Sequence, residues 1–231
     1  MPQLKLRSDI QKFIESNHFS RKTGNTILLD SDESFLIRKV QTKNDFKKVF
    51  DVRWKTYKRF FNKEDDLIDL NDFTPNVTLL LAEDEQNNPV GTIRILDRRS
   101  GRIELDQFIE INSLLSRSDM PCAEATRFSI PKHPKSAAIR FLLYKAFLLY
   151  CQNKGINTML ISVRRITSRN YRFFYFKHLG PAGIYNHPLM GNLEYHTYKC
   201  NISETCKFLK VINFQLYQFF CVKEHLNINI T

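Results

Sequence analysis

The sequence predicts an α/β fold, a sandwich of helices around a mixed central sheet. Two long segments space their apolar residues as helices do, and several short apolar runs between turn residues are typical of strands. The 231 residues are also enough to bury one substantial core. The elements follow in the order helix, hairpin, strand, helix, strand, helix and strand, which indicates the mixed sheet.

The first part of the chain is predicted to be an arm at residues 1–33, with a helical pattern at residues 5–17. A short strand follows at residues 34–40. Thr42 can cap the next helix, whose apolar residues recur at helical spacing from Phe46 onward.

The middle of the chain contains a predicted hairpin and a predicted central strand. VTLLLAED and VGTIRIL flank the polar turn QNNP, as in a β-hairpin. RIELDQF and INSLL form a less regular connection to ATRFSI, which is predicted to be the central strand. Pro131 and Pro134 end that strand.

The second half begins with a long helix that Ser136 can cap and that stops near Gly155. NTMLISVR is predicted to be a buried strand, SRNYRFFYFKHLG a short helix ending at Gly180, and NLEYHTYKCNI a strand. Residues 34–202 would then form one domain, and residues 203–231 an apolar C-terminal helical extension. That extension is expected to pack on the core; contact with a membrane surface is the alternative.

The charge balance indicates an anionic partner. Lys and Arg number 35 against 24 Asp and Glu, a formal net charge of +11. Nucleic acid, anionic lipid and an acidic protein all fit this charge.

Cysteine, histidine and hydropathy patterns predict a cytoplasmic protein without a metal. The five cysteines are odd in number and lack a C-x-x-C pair, so we expect reduced thiols rather than disulfides. The histidines do not occur at metal-ligand spacing. No run of eighteen apolar residues is present, and the first residues lack the apolar core of a secretion signal.

The segment AEATRF places Glu124 and Arg127 three residues apart in a predicted strand. Because alternate side chains share a face, these two would point to opposite sides unless a bulge shifts the phase. A bulge beside charged groups would mark a functional site.

Several charged segments together resemble those of one branch of the GNAT acyltransferase fold, the acyl-homoserine lactone synthases and the related N-acyl amino acid synthases. The segments are VFDVR with Arg53, DLND with Asp69 and Asp72, GTIRIL with Arg94, and AEATRF with Glu124, Arg127 and Phe128. Their order and intervals agree from about residue 34 to 200, although the acidic pair can also be placed on Asp66 and Asp69. Trp54 directly follows the helical arginine, whereas the family usually has a Trp some ten residues later, which favours the broader N-acyl amino acid side.

The resemblance implies a GNAT-like three-layer sandwich and an N-acyltransferase. A fatty acyl group would pass from an acyl carrier protein thioester to the amine of an amino acid or similar small acceptor. Glu124 would act as the general base with Arg127 beside it. The acceptor pocket would be shaped by the remaining charged cluster, namely Arg53, Asp69, Asp72 and Arg94. The alternative for these residues is a salt-bridge network that only fastens helix to sheet.

The donor side is indicated by the loop IPKHPKSAAIR, which has no glycine. Acetyl-CoA enzymes of this fold wrap the pyrophosphate with a Gly-rich loop, whereas the phosphopantetheine arm of a carrier protein lacks that pyrophosphate. Phe128 and a set of basic residues would contact the donor or carrier; the basic residues are Lys132, Lys135, Arg140, Arg164 and Arg165. A solvated basic face is the other interpretation.

No tightly bound cofactor is expected, because the acyl-phosphopantetheine or acyl-CoA is a co-substrate. Three other functions remain open: a lactone synthase that uses S-adenosylmethionine, an acyl-CoA-dependent N-acyltransferase, and a nucleic-acid-binding module. The last is suggested by basic residues that interleave with aromatics in SVRRITSRNYRFFYF. The aromatic residues Phe141, Phe147, Phe173, Phe174 and Phe176 are expected in the core rather than along an acyl chain.

Overall fold

The computed structural model describes residues 34–61, 67 and 69–230 of the chain. Side chains at positions 169, 170 and 172–174 are not described, which includes those of Phe173 and Phe174. The predicted arm at residues 1–33, with its helix, lies outside the described residues, as does Asp66.

One mixed sheet is formed by nine strands of the described residues. They are β1 (Phe35–Lys39), β2 (Val77–Asp84), β3 (Pro89–Asp97), β4 (Cys122–Ser129), β5 (Thr158–Arg164), β6 (Lys177–His178), β7 (Ile184–His187), β8 (Leu193–Asn201) and β9 (Ile228–Asn229). The spatial order is β6, β8, β5, β4, β3, β2, β1, β9, with β7 beside β8. Neighbours are antiparallel except for the parallel pairs β4 with β5 and β1 with β9.

The helices flank this sheet. They are α1 (Lys43–Tyr57), α2 (Ile111–Leu114), α3 (Ser136–Asn153), α4 (Ile202–Ile212) and α5 (Phe214–Tyr217). Short 3₁₀ turns occupy Lys58–Phe60, Leu70–Phe73, Glu104–Gln107, Arg117–Asp119, Arg165–Phe174, Pro181–Gly183 and Pro188–Met190, and a π-helical turn occupies Gln218–Val222.

Two apolar clusters place the helices on opposite faces. Val49 of α1 packs with Leu79 and Leu81 of β2 on one face, here called the site face. Leu80 of β2 points the other way, into the main core, where it joins Ile139 and other residues of α3. Phe147 and Phe176 belong to this core, as expected. The predicted three-layer α/β sandwich is therefore confirmed.

Local signals explain where α1 and α3 begin and end. Thr42 Oγ1 accepts a hydrogen bond from Asp45 N at 3.2 Å and Asp45 Oδ2 accepts one from Thr42 N at 3.0 Å, which completes the expected cap of α1. Gly155 has φ +63° and follows the end of α3, as predicted. The predicted cap of α3 is wrong: Lys135 occupies the cap position and Ser136 is the first helical residue. The Ser136 hydroxyl donates to His133 O at 2.6 Å instead of capping the helix.

The segment between β5 and β8 departs from its prediction. The expected helix ending at Gly180 is a 3₁₀ turn that stops at Phe174. The residues after it instead pair with β8, as β6 and then as β7, where Ile184 lies opposite His196. Hydrogen bonding to the sheet edge replaces the helical bonds that the sequence pattern indicated.

The C-terminal segment is less regular than a single helix. Asn213 interrupts it with φ −151°, and its side chain accepts from Leu216 N at 3.0 Å to begin α5. Leu209, Leu216 and Phe220 lie in the main core, so the segment packs on the domain as expected. The division at residue 202 stays a prediction.

The expectation of five reduced cysteines is wrong. Cys206 of α4 and Cys221 of the π-helical turn form a disulfide, because the chain reverses at Asn213 and brings their Cα atoms to 6.1 Å. Cys122, Cys151 and Cys200 are buried and are not part of a disulfide.

Within the described part of the chain, no helix is long and apolar enough to cross a membrane. Likewise, the described residues contain no group of three or more His, Cys, Asp or Glu positioned to hold a metal ion.

Candidate active site

A β-bulge in β4 brings Glu124 and Arg127 to the same face of the sheet. Arg94 of β3 lies opposite Thr126 of β4, and Thr92 of β3 lies opposite Ser129 of β4. An advance of two residues in β3 is therefore matched by three residues in β4, which is the mark of a bulge. Arg127 lies within this bulge, and its φ of +50° is in the left-handed region. The bulge that would shift the phase between these two residues is therefore present.

The bulge is tied to both layers around it. Tyr57 at the end of α1 donates its hydroxyl to Phe128 O at 3.0 Å. The Phe128 ring points to the opposite face and stacks on Tyr144 of α3, with 4.9 Å between centroids. These contacts hold Arg127 in a backbone conformation that is unfavourable for a residue with a side chain.

Arginines and carboxylates form a buried network on the site face. Arg53 of α1 makes two hydrogen bonds with Asp72, at 2.5 and 3.0 Å. Arg94 contacts Asp69 at 2.7 Å, Asp72 at 3.2 Å and Glu104 at 2.7 Å. All of the predicted cluster, Arg53, Asp69, Asp72 and Arg94, thus lies in one place.

Arg127 joins the same network at its edge. Its Nη2 donates to Asp69 Oδ2 at 3.1 Å and lies 3.5 Å from Glu104 Oε1. Burial opposes ionisation of Asp69, but Arg94 and Arg127 lower the pKa of this carboxyl to about 2. Asp69 therefore keeps its charge at neutral pH.

Glu124 is a buried carboxyl group of this site, with 1% of the residue exposed. Its Oε2 accepts from Leu105 N at 3.0 Å, in the 3₁₀ turn Glu104–Gln107. Burial and the neighbouring charge of Glu104 raise the pKa of Glu124 to about 8.

Glu104 and His187 are functional candidates that the sequence did not reveal. Burial opposes ionisation of Glu104, but Arg127, His187 and Arg94 together lower its pKa. His187, at the end of β7, places Nε2 at 3.5 Å from Glu104 Oε1. Neither residue lies in a segment with a periodic pattern, and 82 residues lie between them in the sequence. Contacts that exist only in the folded chain, such as the one between Arg94 and Glu104, mark Glu104 as part of the site.

A cleft of about 280 Å³ opens beside these groups. The parallel pairing of β4 with β5 ends at Ala125 and Ile161, and residues further along both strands line the cleft instead. Glu104, Glu124, Arg127 and His187 all line it. The cleft therefore extends from the gap between β4 and β5 to the buried carboxyl group of Glu124.

The predicted donor and carrier residues divide into two groups. Phe128, Arg140 and Arg164 line the cleft. Lys132, Lys135 and Arg165 are exposed and are not part of its lining. Lys135 Nζ donates to Ser34 Oγ at 3.2 Å, so that side chain is partly engaged within the fold.

The glycine-free loop between β4 and α3 uses its own backbone donors. His133 N donates to Ser136 Oγ at 3.2 Å, Lys135 N to His133 Nδ1 at 3.1 Å, and Ser136 N to His133 O at 3.1 Å. Pro131 and Pro134 have no N–H group. Three N–H groups of this loop are therefore already hydrogen bonded within it, and two of its residues have none to offer to a pyrophosphate.

A bulged central strand that separates from its parallel neighbour over a cleft, between two helical layers, defines a GNAT-type acyltransferase. Solved structures share this fold at low sequence identity. FeeM, an N-acyl amino acid synthase from uncultured soil microbes, has a TM-score of 0.61 at 17% identity, covering 75% of this chain and 93% of its own. The acyl-homoserine lactone synthase LasI has a TM-score of 0.52 at 15% identity, covering 73% of this chain and 89% of its own.

A CoA-dependent acyl-homoserine lactone synthase, BjaI, solved with SAM and isopentyl-CoA, has a TM-score of 0.55 at 14% identity, covering 85% of this chain and 93% of its own. The comparison with curated protein sequences yields no significant match. The family described as N-acyl amino acid synthase FeeM matches residues 48–190, more than half of the chain. The chain belongs to this family of acyltransferases, which confirms the resemblance found in the sequence.

Proposed function

We propose that the protein transfers a fatty acyl group from an acyl carrier protein thioester to the amine of an amino acid or a similar small acceptor, with Glu124 as general base. In this reaction an N–C bond forms, the C–S bond breaks and the thiol leaves. The observation that carries the proposal is the buried carboxyl group of Glu124 in the wall of the cleft, beside the bulge.

The environment of Glu124 suits proton transfer. A general base works best when its pKa lies near the operating pH, and burial with the charge of Glu104 raises the pKa of Glu124 to about 8. The backbone N–H of Leu105 fixes one carboxyl oxygen. The attacking nitrogen would lose a proton to Glu124 as it bonds to the thioester carbon.

The gap between β4 and β5 suits an extended donor. Beyond Ala125 and Ile161 the two strands no longer pair, which leaves room between their edges. A pantetheine arm contains amide groups that can hydrogen bond to strand edges, as extended peptides do. Phe128, Arg140 and Arg164 would then lie along this donor path.

Arg127 is suited to bind a carboxylate of the acceptor. Arg53 and Arg94 each use more than one guanidinium nitrogen to donate hydrogen bonds to carboxylates. Arg127, by contrast, makes one side-chain hydrogen bond among the described residues, to Asp69. A guanidinium group with spare donors in the cleft can bind a carboxylate through two parallel hydrogen bonds.

A carrier protein is favoured over CoA as the donor by the loop that precedes α3. The N–H groups of His133, Lys135 and Ser136 are already hydrogen bonded within the loop. Carrier proteins are acidic, and the exposed Lys132 and Arg165 with the formal charge of +11 would complement one.

The proposal is tested with purified protein and two acyl donors, an acyl-carrier protein and the matching acyl-CoA. Each donor is offered with a mixture of amino acids and, separately, with S-adenosylmethionine, and products are identified by mass spectrometry. We expect an N-acyl amino acid from the carrier donor. The same product should appear in lipid extracts of expressing cells.

The Glu124→Gln variant should lose this product while retaining the fold, and Glu85→Gln, at an exposed position, is the matched control. Full activity of Glu124→Gln would contradict its role as the base. A lactone formed only from S-adenosylmethionine, activity only with acyl-CoA, or salt-sensitive oligonucleotide binding without acyl transfer would each support one of the alternatives instead.

A further inference from the structure

His187 occupies the wall of the cleft without a role in the proposal above. It is the last residue of β7 and is 5% exposed. Its ring packs against Phe108, at 5.2 Å between centroids, and against Tyr195, at 5.1 Å. These two aromatic rings restrict the orientation of the imidazole.

The two ring nitrogens of His187 have different surroundings. Nε2 faces Glu104 Oε1 at 3.5 Å, and this contact contributes to the lowered pKa of Glu104. Nδ1 is buried and has no hydrogen-bond partner among the described residues. In the neutral ring, a proton on Nε2 directed at the carboxylate leaves the lone pair on Nδ1.

An unpartnered buried nitrogen in a native structure needs an explanation, and a functional site offers one. The ring belongs to the lining of the same cleft as Glu124 and Arg127. A substrate group or a water molecule in that cleft can therefore supply the missing partner of Nδ1.

The chemistry of N-acylation requires more than one proton acceptor. An amino acid enters as an ammonium ion, which must lose one proton before its nitrogen has a lone pair for attack. The same nitrogen loses a second proton as the tetrahedral intermediate becomes the amide. The departing thiolate takes up one of these protons, and the other reaches solvent. A single carboxylate can hold only one of them at a time.

We propose that His187 is a second proton acceptor of this site, and that Glu104 is the residue that positions it. This inference rests on the proposed N-acyltransferase function. Nδ1 of His187 takes the first proton, from the ammonium group of the acceptor, directly or through one water. Glu124 takes the second as the N–C bond is completed and the C–S electron pair leaves with the sulfur. One of the two protonated groups then returns its proton to the thiolate.

The groups around the ring fit this role. The carboxylate of Glu104 faces Nε2 and would stabilise the imidazolium that forms. Arg127 approaches the same Glu104 oxygen at 3.5 Å. Tyr185 and Tyr195 lie on the other sides, with ring centroids 6.1 and 5.1 Å from that of His187, and Glu124 lines the same cleft.

The test is His187→Gln, because the glutamine amide can still donate to Glu104 but has no nitrogen lone pair for a proton. With the amino acid that the wild type acylates best, we expect kcat/KM for the acceptor to fall about 100-fold at pH 7, a typical effect of removing a general base. KM for the acyl-carrier protein should change little. The loss should shrink as pH rises through the pKa of the acceptor's own ammonium group, because free amine no longer needs the first deprotonation.

Unchanged kcat/KM in a folded His187→Gln variant, or a loss that is the same at every pH, would overturn the inference. A measurement without substrate separates it from the proposed function. Long-range ¹H–¹⁵N spectra, assigned with His187→Gln, should show Nε2 protonated and Nδ1 bare in the neutral ring. A proton on Nδ1 would refute the role of His187 even if the enzyme makes N-acyl amino acids, whereas the absence of any acyl product from wild type would refute the proposed function.

Discussion

Glu104 and Glu124 are two buried carboxyl groups of one site, and their pKa values shift in opposite directions. Burial opposes ionisation of both. Arg127, His187 and Arg94 surround Glu104 and keep it charged. That charge in turn helps burial to hold a proton on Glu124, whose carboxyl contacts backbone N–H groups. Glu104 is thus a permanent negative charge of the site, whereas Glu124 can gain or lose a proton near neutral pH.

The first prediction concerns the pH dependence of catalysis. Because a general base must be unprotonated, kcat/KM of the wild type should rise with pH and level off above about 8, the pKa of Glu124. Glu124→Gln should lower kcat/KM by about 10²–10⁴-fold and remove that titration. Initial rates with acyl-carrier protein from pH 6 to 9.5 measure both. A Glu124→Gln profile that keeps the wild-type shape would contradict the assignment.

The second prediction concerns stability and pH. In the folded state the pKa of Glu124 is about 8, above its ordinary value of 4.5. The contribution of this proton to the free energy of unfolding is therefore fully present below pH 4.5 and is lost as the pH rises towards about 8. Glutamine does not titrate. The free energy of unfolding of Glu124→Gln, relative to wild type, should therefore increase between pH 5 and pH 8.5. Urea titrations at several pH values would show it, and a constant difference would contradict the raised pKa.

The third prediction separates buried from exposed ion pairs in α1. Arg53 and Asp72 are fully buried partners. Arg53→Met should lower the free energy of unfolding by about 3 kcal/mol, because it leaves Asp72 charged in the interior with only part of its compensation. Lys55→Met removes an exposed pair with Asp51 on the same helix and should cost no more than about 0.5 kcal/mol. Equal losses in urea denaturation would contradict the importance of burial.

The fourth prediction concerns carrier docking. Charge reversal at the exposed Lys132 and Arg165 should raise KM for an acyl-carrier protein several-fold and leave kcat nearly unchanged, because an acidic partner loses attraction. Added salt should raise the wild-type KM in the same direction. The two reversals are made singly, and Lys55→Glu, at an exposed position outside the cleft lining, is the control that changes the net charge by the same two units as each of them. KM for an uncharged acyl-pantetheine donor should not change with any of the three substitutions. If it rises as much as KM for the acyl-carrier protein, the substitutions do not act on carrier docking.

The fifth prediction concerns the C-terminal disulfide. Thiol titration in guanidinium should find three free thiols before reduction and five after it, since Cys206 and Cys221 are paired. Cys206→Ser should lower the free energy of unfolding by about 3 kcal/mol, the effect of opening a loop of this length. Five thiols in the unreduced protein would show that the pair is not oxidised.

The sequence predicted those elements whose local signals agree with their packing. Thr42 completes a capping box, and the spacing of Val49 and Val52 gives α1 its buried side, so both the cap and the period pointed to the same helix. The odd spacing of Glu124 and Arg127 also raised the question of a bulge, because a regular strand could not place both on one face.

The remaining features depend on contacts between distant segments. Glu104 and His187 lie in an irregular connection and at the end of a four-residue strand, where no periodicity marks them. The pairing of Cys206 with Cys221 depends on a chain reversal at Asn213 that an uninterrupted apolar pattern concealed. β7 and β9 are too short to carry an alternating pattern, and they form because β8 and β1 offer edges.

The two-residue strand β9 has a further consequence. Ile37 N donates to Asn227 O at 2.8 Å, and Asn227 Nδ2 donates to Phe35 O at 2.7 Å, so this short segment occupies the outer side of β1. Truncation of the chain before Asn227 would leave main-chain groups on the outer side of β1 without hydrogen-bond partners. Strands of other molecules can pair with such an uncovered strand, which leads to polymerisation. Affinity tags that pull this segment away would carry the same hazard of aggregation.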